Sequence, residues 1–250
     1  MIRDPHVLAL CDDLFIQAHQ LAGWITDYVD LEESLAVGSI SQELLAHSAA
    51  LMGICGFGPE DRDERIFRRA AAQWCPSQVS CLPDRNWPAA VVRGFLLNRA
   101  MIAIRPHLAV PDKPHVQQLA EVINAEEDLH AGHWFRWVNI LAGDADTAVE
   151  FQQEVDRALA DASDLFGSIP VDGDEIAESE LLLHEQDLVT AHSTWVNDVT
   201  ELLTQRGLVA SAVPTEVRAR TAGGPCVDEL LRELGHAREA DGTSNYEIYQ

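Results

Sequence analysis

Apolar residues recur at three- and four-residue spacing along most of this chain, and no convincing run follows the two-residue alternation of a half-buried strand. The pattern predicts an all-α protein. A first amphipathic helix covers about residues 6–26, and Asp30-Leu31-Glu32-Glu33 opens a second that runs to Gly53 or Gly56. Residues 56–88 mix Gly, Pro and charge and read as a long connection, with a short helical segment at Glu64–Trp74. Pro88 then suits the first turn of a third helix, about 88–105, which is apolar nearly all round and so belongs at the centre of a bundle. A fourth helix is predicted over about 114–142, a fifth from the Asp144 or Asp146 cap to Gly167, and a sixth over about 175–206. The turn Thr221-Ala222-Gly223-Gly224-Pro225 introduces a last helix to about residue 239, and the polar tail Thr243–Gln250 is expected to be disordered.

Two of these stripes carry polar residues where apolar ones are expected. In the second helix Ile40, Leu44, His47 and Leu51 share a face, with Glu43 beside them. In the fourth, Val116, Leu119, Ile123, Glu126 or Glu127, His130, Trp134, Trp137 and Leu141 do the same, so His130 is expected to face inward. A carboxylate and an imidazole projecting together into a bundle is the ligand arrangement of carboxylate-bridged di-iron proteins. The metal candidates are therefore Glu43, His47, Glu127 and His130, with Glu126 as the alternative to Glu127. The same residues also suit a buried hydrogen-bonded network or, for Glu43 and His47, a solvated i,i+4 pair. Glu180/His184 and Glu233/His236 have similar spacing and read as surface features. Arg62, Arg65, Arg68 and Arg69 alternate with Asp61, Asp63 and Glu64, which reads as a solvated charged helix, although such a cluster also suits a phosphate or an acidic partner.

Charge narrows the partners. With 17 Lys+Arg against 41 Asp+Glu, the formal charge of −24 opposes nucleic acid and anionic membranes, which are themselves polyanions. No apolar run approaches the roughly 18 residues of a membrane helix, and Met1-Ile2-Arg3-Asp4-Pro5 lacks a signal-peptide core, so a cytoplasmic protein is expected. Cys11, Cys55, Cys75, Cys81 and Cys226 form no C-x-x-C, which suggests reduced, mostly buried thiols rather than a disulfide framework or a zinc ribbon. No Ser/His/Asp triad, phosphate loop or G-x-G-x-x-G can be assembled, so no catalytic residue is assigned.

Several stretches, in consistent order over about residues 8–240, resemble the ferritin-like PaaA/PaaC family of phenylacetyl-CoA epoxidase (phenylacetate-CoA oxygenase), and their spacing is most similar to its C-type subunit. Gln20-Leu21-Ala22-Gly23-Trp24 resembles Q-R-L-G-E-W, and Glu33 to His47 resembles D-L-A-L-A-N-I-G-L-D-L-L-G-Q. Arg62-Asp63-Glu64-Arg65 with Phe67 resembles R-D-E-R-x-F in the long connection. Glu126 to His130, then Trp137 and Leu141-Ala142-Gly143-Asp144, resemble E-A-R-Y-H, W and L-G-x-G. Arg220-Thr221-Ala222-Gly223-Gly224 resembles R-T-G-G, but Val227-Asp228-Glu229 stands where the family has H-T-E. The resemblance implies one ferritin-like domain over 1–250, with core helices at about 6–142 and further helices at about 144–240.

It also implies a role. A complete di-iron site takes a carboxylate from each of two helices and a Glu-x-x-His from each of two others. Here Glu127-x-x-His130 is intact, whereas Leu44 stands three residues before His47, and the first helix offers only Asp12 or Asp13. From Trp87 to Pro111 there is no acid at all, and Leu96, Leu97 and Asn98 occupy the region of the expected bridging carboxylate. In the family the A-type subunit carries the di-iron centre and the C-type subunit scaffolds it. The expectation is thus a scaffolding subunit of a multicomponent oxygenase acting on an aryl-CoA thioester in aromatic catabolism, in a hetero-oligomer with a PaaA-like di-iron subunit. The alternative is a divergent metal-dependent oxygenase active in its own right, with iron at His47, Glu43, Glu127 and His130.

Overall fold

Helices in the computed structural model begin where the sequence offers caps. The structure describes residues 4–26, 30–108, 114–169 and 183–241. Asp4 accepts from the backbone N–H of His6 (2.9 Å) and Val7 (3.2 Å), opening α1 (Pro5–Gly23) with proline in its first turn. Asp30 does the same for α2 (Leu31–Ile54) by accepting from Glu33 N at 2.7 Å. Asn86 caps α4 (Trp87–Ile104) through Ala89 N at 2.9 Å. α3 (Pro59–Phe67), α5 (Pro114–Gly143), α6 (Ala148–Ala160), α7 (Glu185–Thr204) and α8 (Pro225–Asp241) complete the order, and the described residues contain no strand.

Three boundaries differ from the sequence reading. The short helix lies earlier than Glu64–Trp74, because Pro59 fits its first turn and the Asp61 carboxylate accepts from Gly58 N. α6 stops at Ala160 rather than Gly167: a 3-10 turn at Ala162–Asp164 follows, which lets Leu165 and Phe166 fold back into the core. α7 starts at Glu185, where Asp187 accepts from His184 N at 2.9 Å. Residues 175–182 of the region expected to be helical, like the tail 243–250, lie outside the described residues.

The all-α bundle is organised around α4. From Ala90 to Asn98 every residue of α4 is buried, and its faces meet α5, α6 and α7. α1 lies along α2, and α2 meets α5. Ser41 Oγ donates to Ala18 O (2.8 Å) and Ser48 Oγ to Cys11 O (3.0 Å), which fixes α1 antiparallel to α2 and puts Leu14 level with Leu44. α4 and α5 approach closely because Gly94 has no side chain: a Cβ there would sit 2.6 Å from the Trp134 ring.

Asp12 and Asp13, expected as possible ligands on α1, are used elsewhere. Both are buried and turned onto the long connection: Asp12 accepts from Cys75 N (2.9 Å), and Asp13 from Ser77 N (2.7 Å) and Ser80 Oγ (2.9 Å). Arg220, itself buried, pairs with Asp13 at 2.8 Å and donates to Cys75 O and Leu165 O. Unpaired backbone N–H groups in a buried loop are costly, so carboxylates on α1 solve a problem of the connection rather than of the bundle centre. The arginine cluster is likewise only partly solvated. Arg69 pairs with Asp12 and lies over the Trp74 ring, and Arg65 approaches Asp12 at 3.6 Å, while Arg68 is exposed.

Candidate functional site

α2 and α5 run antiparallel, and each presents a Glu and a His four residues apart to the other. The pairing is reciprocal across the helices. His47 Nε2 lies 2.5 Å from Glu126 Oε2, and His130 Nε2 lies 2.6 Å from Glu43 Oε2. Glu43 and His47 therefore form neither a local pair nor a solvated one: each takes its partner from α5. Residues one helical turn apart share a face, so two such pairs stack along one seam.

Glu127 occupies the middle. Its Oε1 is 3.4 Å from the Nδ1 atoms of both His47 and His130, longer than an ordinary hydrogen bond. Its Oε2 accepts from Asn98 Nδ2 at 2.6 Å, and the same amide nitrogen donates to Glu127 O at 3.0 Å. Both neighbours of that nitrogen are acceptors, which fixes the orientation of the amide. Asn98 thus presents a donor from α4 to the Glu127 side chain. Leu14 holds the corresponding level of α1.

Burial differs within the cluster. His47, Glu127 and His130 are 2%, 1% and 3% exposed, whereas Glu43 and Glu126 are each 32% exposed. The two outer carboxylates face the α2/α5 seam and the inner three residues lie beneath them. Burial alone would drive the imidazoles to their neutral form; the nearby Glu127 carboxylate, with Glu126 on His47 and Glu43 on His130, instead raises both above the usual histidine value. Burial would raise the Glu127 carboxyl, but the two histidines hold it down to about 2. The cluster thus sets three carboxyl side chains against two imidazoles, and at its centre Glu127 and the two histidines each favour the charged form of the other.

All four residues singled out for metal, together with Glu126, meet at this one place. A second polar cluster escaped the sequence reading: Glu33, 4% exposed on α2, lies 3.0 Å from His133 Nε2 and 3.5 Å from Arg136 on α5. Its signal was available, since His133 follows His130 by one short turn. Glu233 pairs instead with His19 on α1, at 2.8 Å. Glu180 and the His236 side chain lie outside the described residues.

The fold and this centre define a helical bundle in which two antiparallel helices supply paired Glu and His to the interior. The chain belongs to the phenylacetic acid catabolic protein family, which matches residues 5–241. No curated protein matches it. Membership supports involvement in phenylacetic acid catabolism. No helix among the described residues is long and apolar enough to cross a membrane.

Proposed function

We propose that this chain is a scaffolding subunit of a multicomponent ring-oxidising oxygenase acting on an aryl-CoA thioester, and that it supports a homologous di-iron subunit in a cytoplasmic hetero-oligomer. The observation carrying this reading is the self-compensated Glu/His centre between α2 and α5, in what we read as a single ferritin-like domain. Two irons need bridging and terminal carboxylates from four helices. Here α4 offers Asn98 and α1 offers Leu14, while Glu43 and Glu126 are engaged by the Nε2 atoms of the two histidines. The donor set does not fit an iron pair. The two imidazoles hold the Glu127 carboxyl well below its usual value without a metal, so the bundle holds its shape while oxygen chemistry proceeds in the partner.

Iron analysis of the purified chain tests the proposal. Fewer than two irons per chain are expected, with oxygenase activity only when the chain is combined with a family member that carries a full ligand set. Two tightly held irons per chain would overturn it.

One observation favours the alternative of a metal-dependent oxygenase active alone. His47 Nδ1, Glu127 Oε1 and Asn98 Oδ1 are buried without a hydrogen-bond partner, the first two 3.4 Å apart. An ion held by these residues would satisfy them. Turnover by the isolated, metal-loaded chain, abolished in Glu127→Gln, is the outcome that reading requires.

A further inference from the structure

α3 and the turn after it concentrate a charge that is scarce elsewhere in the chain. Four of the 17 Lys+Arg fall within residues 62–69, in a protein whose formal charge is −24. Arg62 reaches α2, donating to Ala49 O at 3.1 Å. The other three, Arg65, Arg68 and Arg69, line one open pocket of about 420 Å³ together with Gly56, Phe57 and Gln73.

Two of these guanidinium groups are buried with their charge only half matched. Arg69 is 7% exposed and Arg65 16%, and both turn to a single carboxylate, Asp12. Asp12 also accepts from Cys75 N at 2.9 Å. Two cations thus meet one anion in a place largely withdrawn from water. Arg69 Nη1 donates to Gln73 O at 3.3 Å and the Trp74 ring covers one face of the group, but Arg69 Nε has no hydrogen-bond partner, and neither has Arg65 Nε. A buried cation without its own counter-ion and a buried donor without an acceptor are both costly, and a bound anion removes both deficits. Burial lowers Arg69 below the usual arginine value against the pull of Asp12, and Arg65 adds to the lowering.

The rim selects the anion. Arg68 is exposed and adds a third guanidinium. Asp61 and Glu64 also line the pocket; Asp61 is engaged by Gly58 N at 3.1 Å, and Glu64 is exposed. An incoming anion has to outcompete these acids, which favours a group with more charge and more acceptor oxygens than a carboxylate. A phosphate monoester carries a charge of about −1.5 to −2 at pH 7 with three strong acceptors, and the arginine fork matches those oxygens. We propose that this pocket binds a phosphate group, as the free ion or at the end of a small organic phosphate, through Arg65, Arg68 and Arg69. This inference is independent of the scaffold reading.

The test titrates the full chain with inorganic phosphate and, separately, with adenosine 5′-monophosphate, by calorimetry at constant ionic strength and with sodium acetate as the control. Saturable binding of phosphate is expected, and none of acetate. Tighter binding of the monophosphate identifies an organic phosphate as the source and equal binding the free ion, and both support the proposal. Arg68→Gln, at an exposed position where the fold is retained by circular dichroism, should weaken binding by about tenfold, as should Arg65→Gln. Glu64→Gln should tighten it by removing a competing charge. No saturable binding at millimolar phosphate, acetate bound as tightly as phosphate, or an affinity unchanged in both arginine variants would overturn the proposal.

Discussion

Glu127 is where the buried charges of the bundle converge, so its removal tests the centre most directly. Glu127→Gln keeps the shape but withdraws the anion that raises both imidazoles, and leaves Asn98 Nδ2 with a weaker acceptor. A loss of about 1–3 kcal/mol in stability is expected from urea denaturation, with the His47 and His130 titrations moving down by NMR. The wild-type pH profile follows from the same shifts. Because both histidines are raised in the folded state, their stabilisation is complete below the ordinary value near 6.5 and is lost as pH rises through the folded values. Because Glu127 is lowered from 4.5 to about 2, its contribution is present above 4.5 and is lost as pH falls towards 2. The difference in unfolding free energy between wild type and His130→Gln should therefore be largest between about pH 4.5 and 6.5 and shrink on either side. A difference independent of pH would mean that His130 acts by packing alone. The inward direction of His47 and His130 was legible in the sequence, because helical periodicity fixes which face each residue shares, whereas the choice between Glu126 and Glu127 was open and Glu43 was placed only beside its stripe. The partners were not legible, since the cross-pairing of α2 with α5 is set by helix register and leaves no local signature.

At the scale of elements, the same periodicity located the long helices and misjudged short ones. α1, α2, α4 and α5 follow their apolar stripes and caps to within a few residues. α3 depends on a proline and one capping carboxylate rather than on a stripe, and α6 ends because a tertiary demand, the burial of Leu165 and Phe166, outweighs local propensity. The role of Asp12 and Asp13 stayed hidden for a related reason: adjacent aspartates on a helix give no hint that a distant loop will fold onto both. Glycine substitutions separate packing from propensity. Gly94→Ala places a methyl against the Trp134 ring between α4 and α5, and should destabilise by about 1–3 kcal/mol or more. Gly132→Ala, on the exposed face of α5 with nothing near its Cβ, should stabilise by about 0.5–1 kcal/mol. Thermal melts of the two variants should shift in opposite directions. If both rise, the α4–α5 contact is looser than the structure shows.

For the whole molecule, charge and exposed apolar surface pull in different directions. At −24 the chain repels copies of itself wherever acidic faces meet, yet Leu129 on α5 is 72% exposed and Leu35 on α2 is 68% exposed. These apolar positions lie on the two helices that carry the buried Glu/His centre. A partner that covers apolar surface while presenting a basic rim would satisfy both features, whereas a second copy would satisfy only the first. The expected outcome, resting on the scaffold proposal, is a stable complex with a catalytic family member at micromolar concentration, seen as the summed mass by light scattering, while the chain alone stays monomeric. Raising salt should slow association more than it speeds dissociation, because steering by opposite charge acts on encounter and is screened beyond about 8 Å at physiological ionic strength. A chain that stays monomeric in the mixture, with the partner fully active alone, would refute the scaffold role. Association insensitive to salt would instead show that apolar contact selects the partner without help from charge.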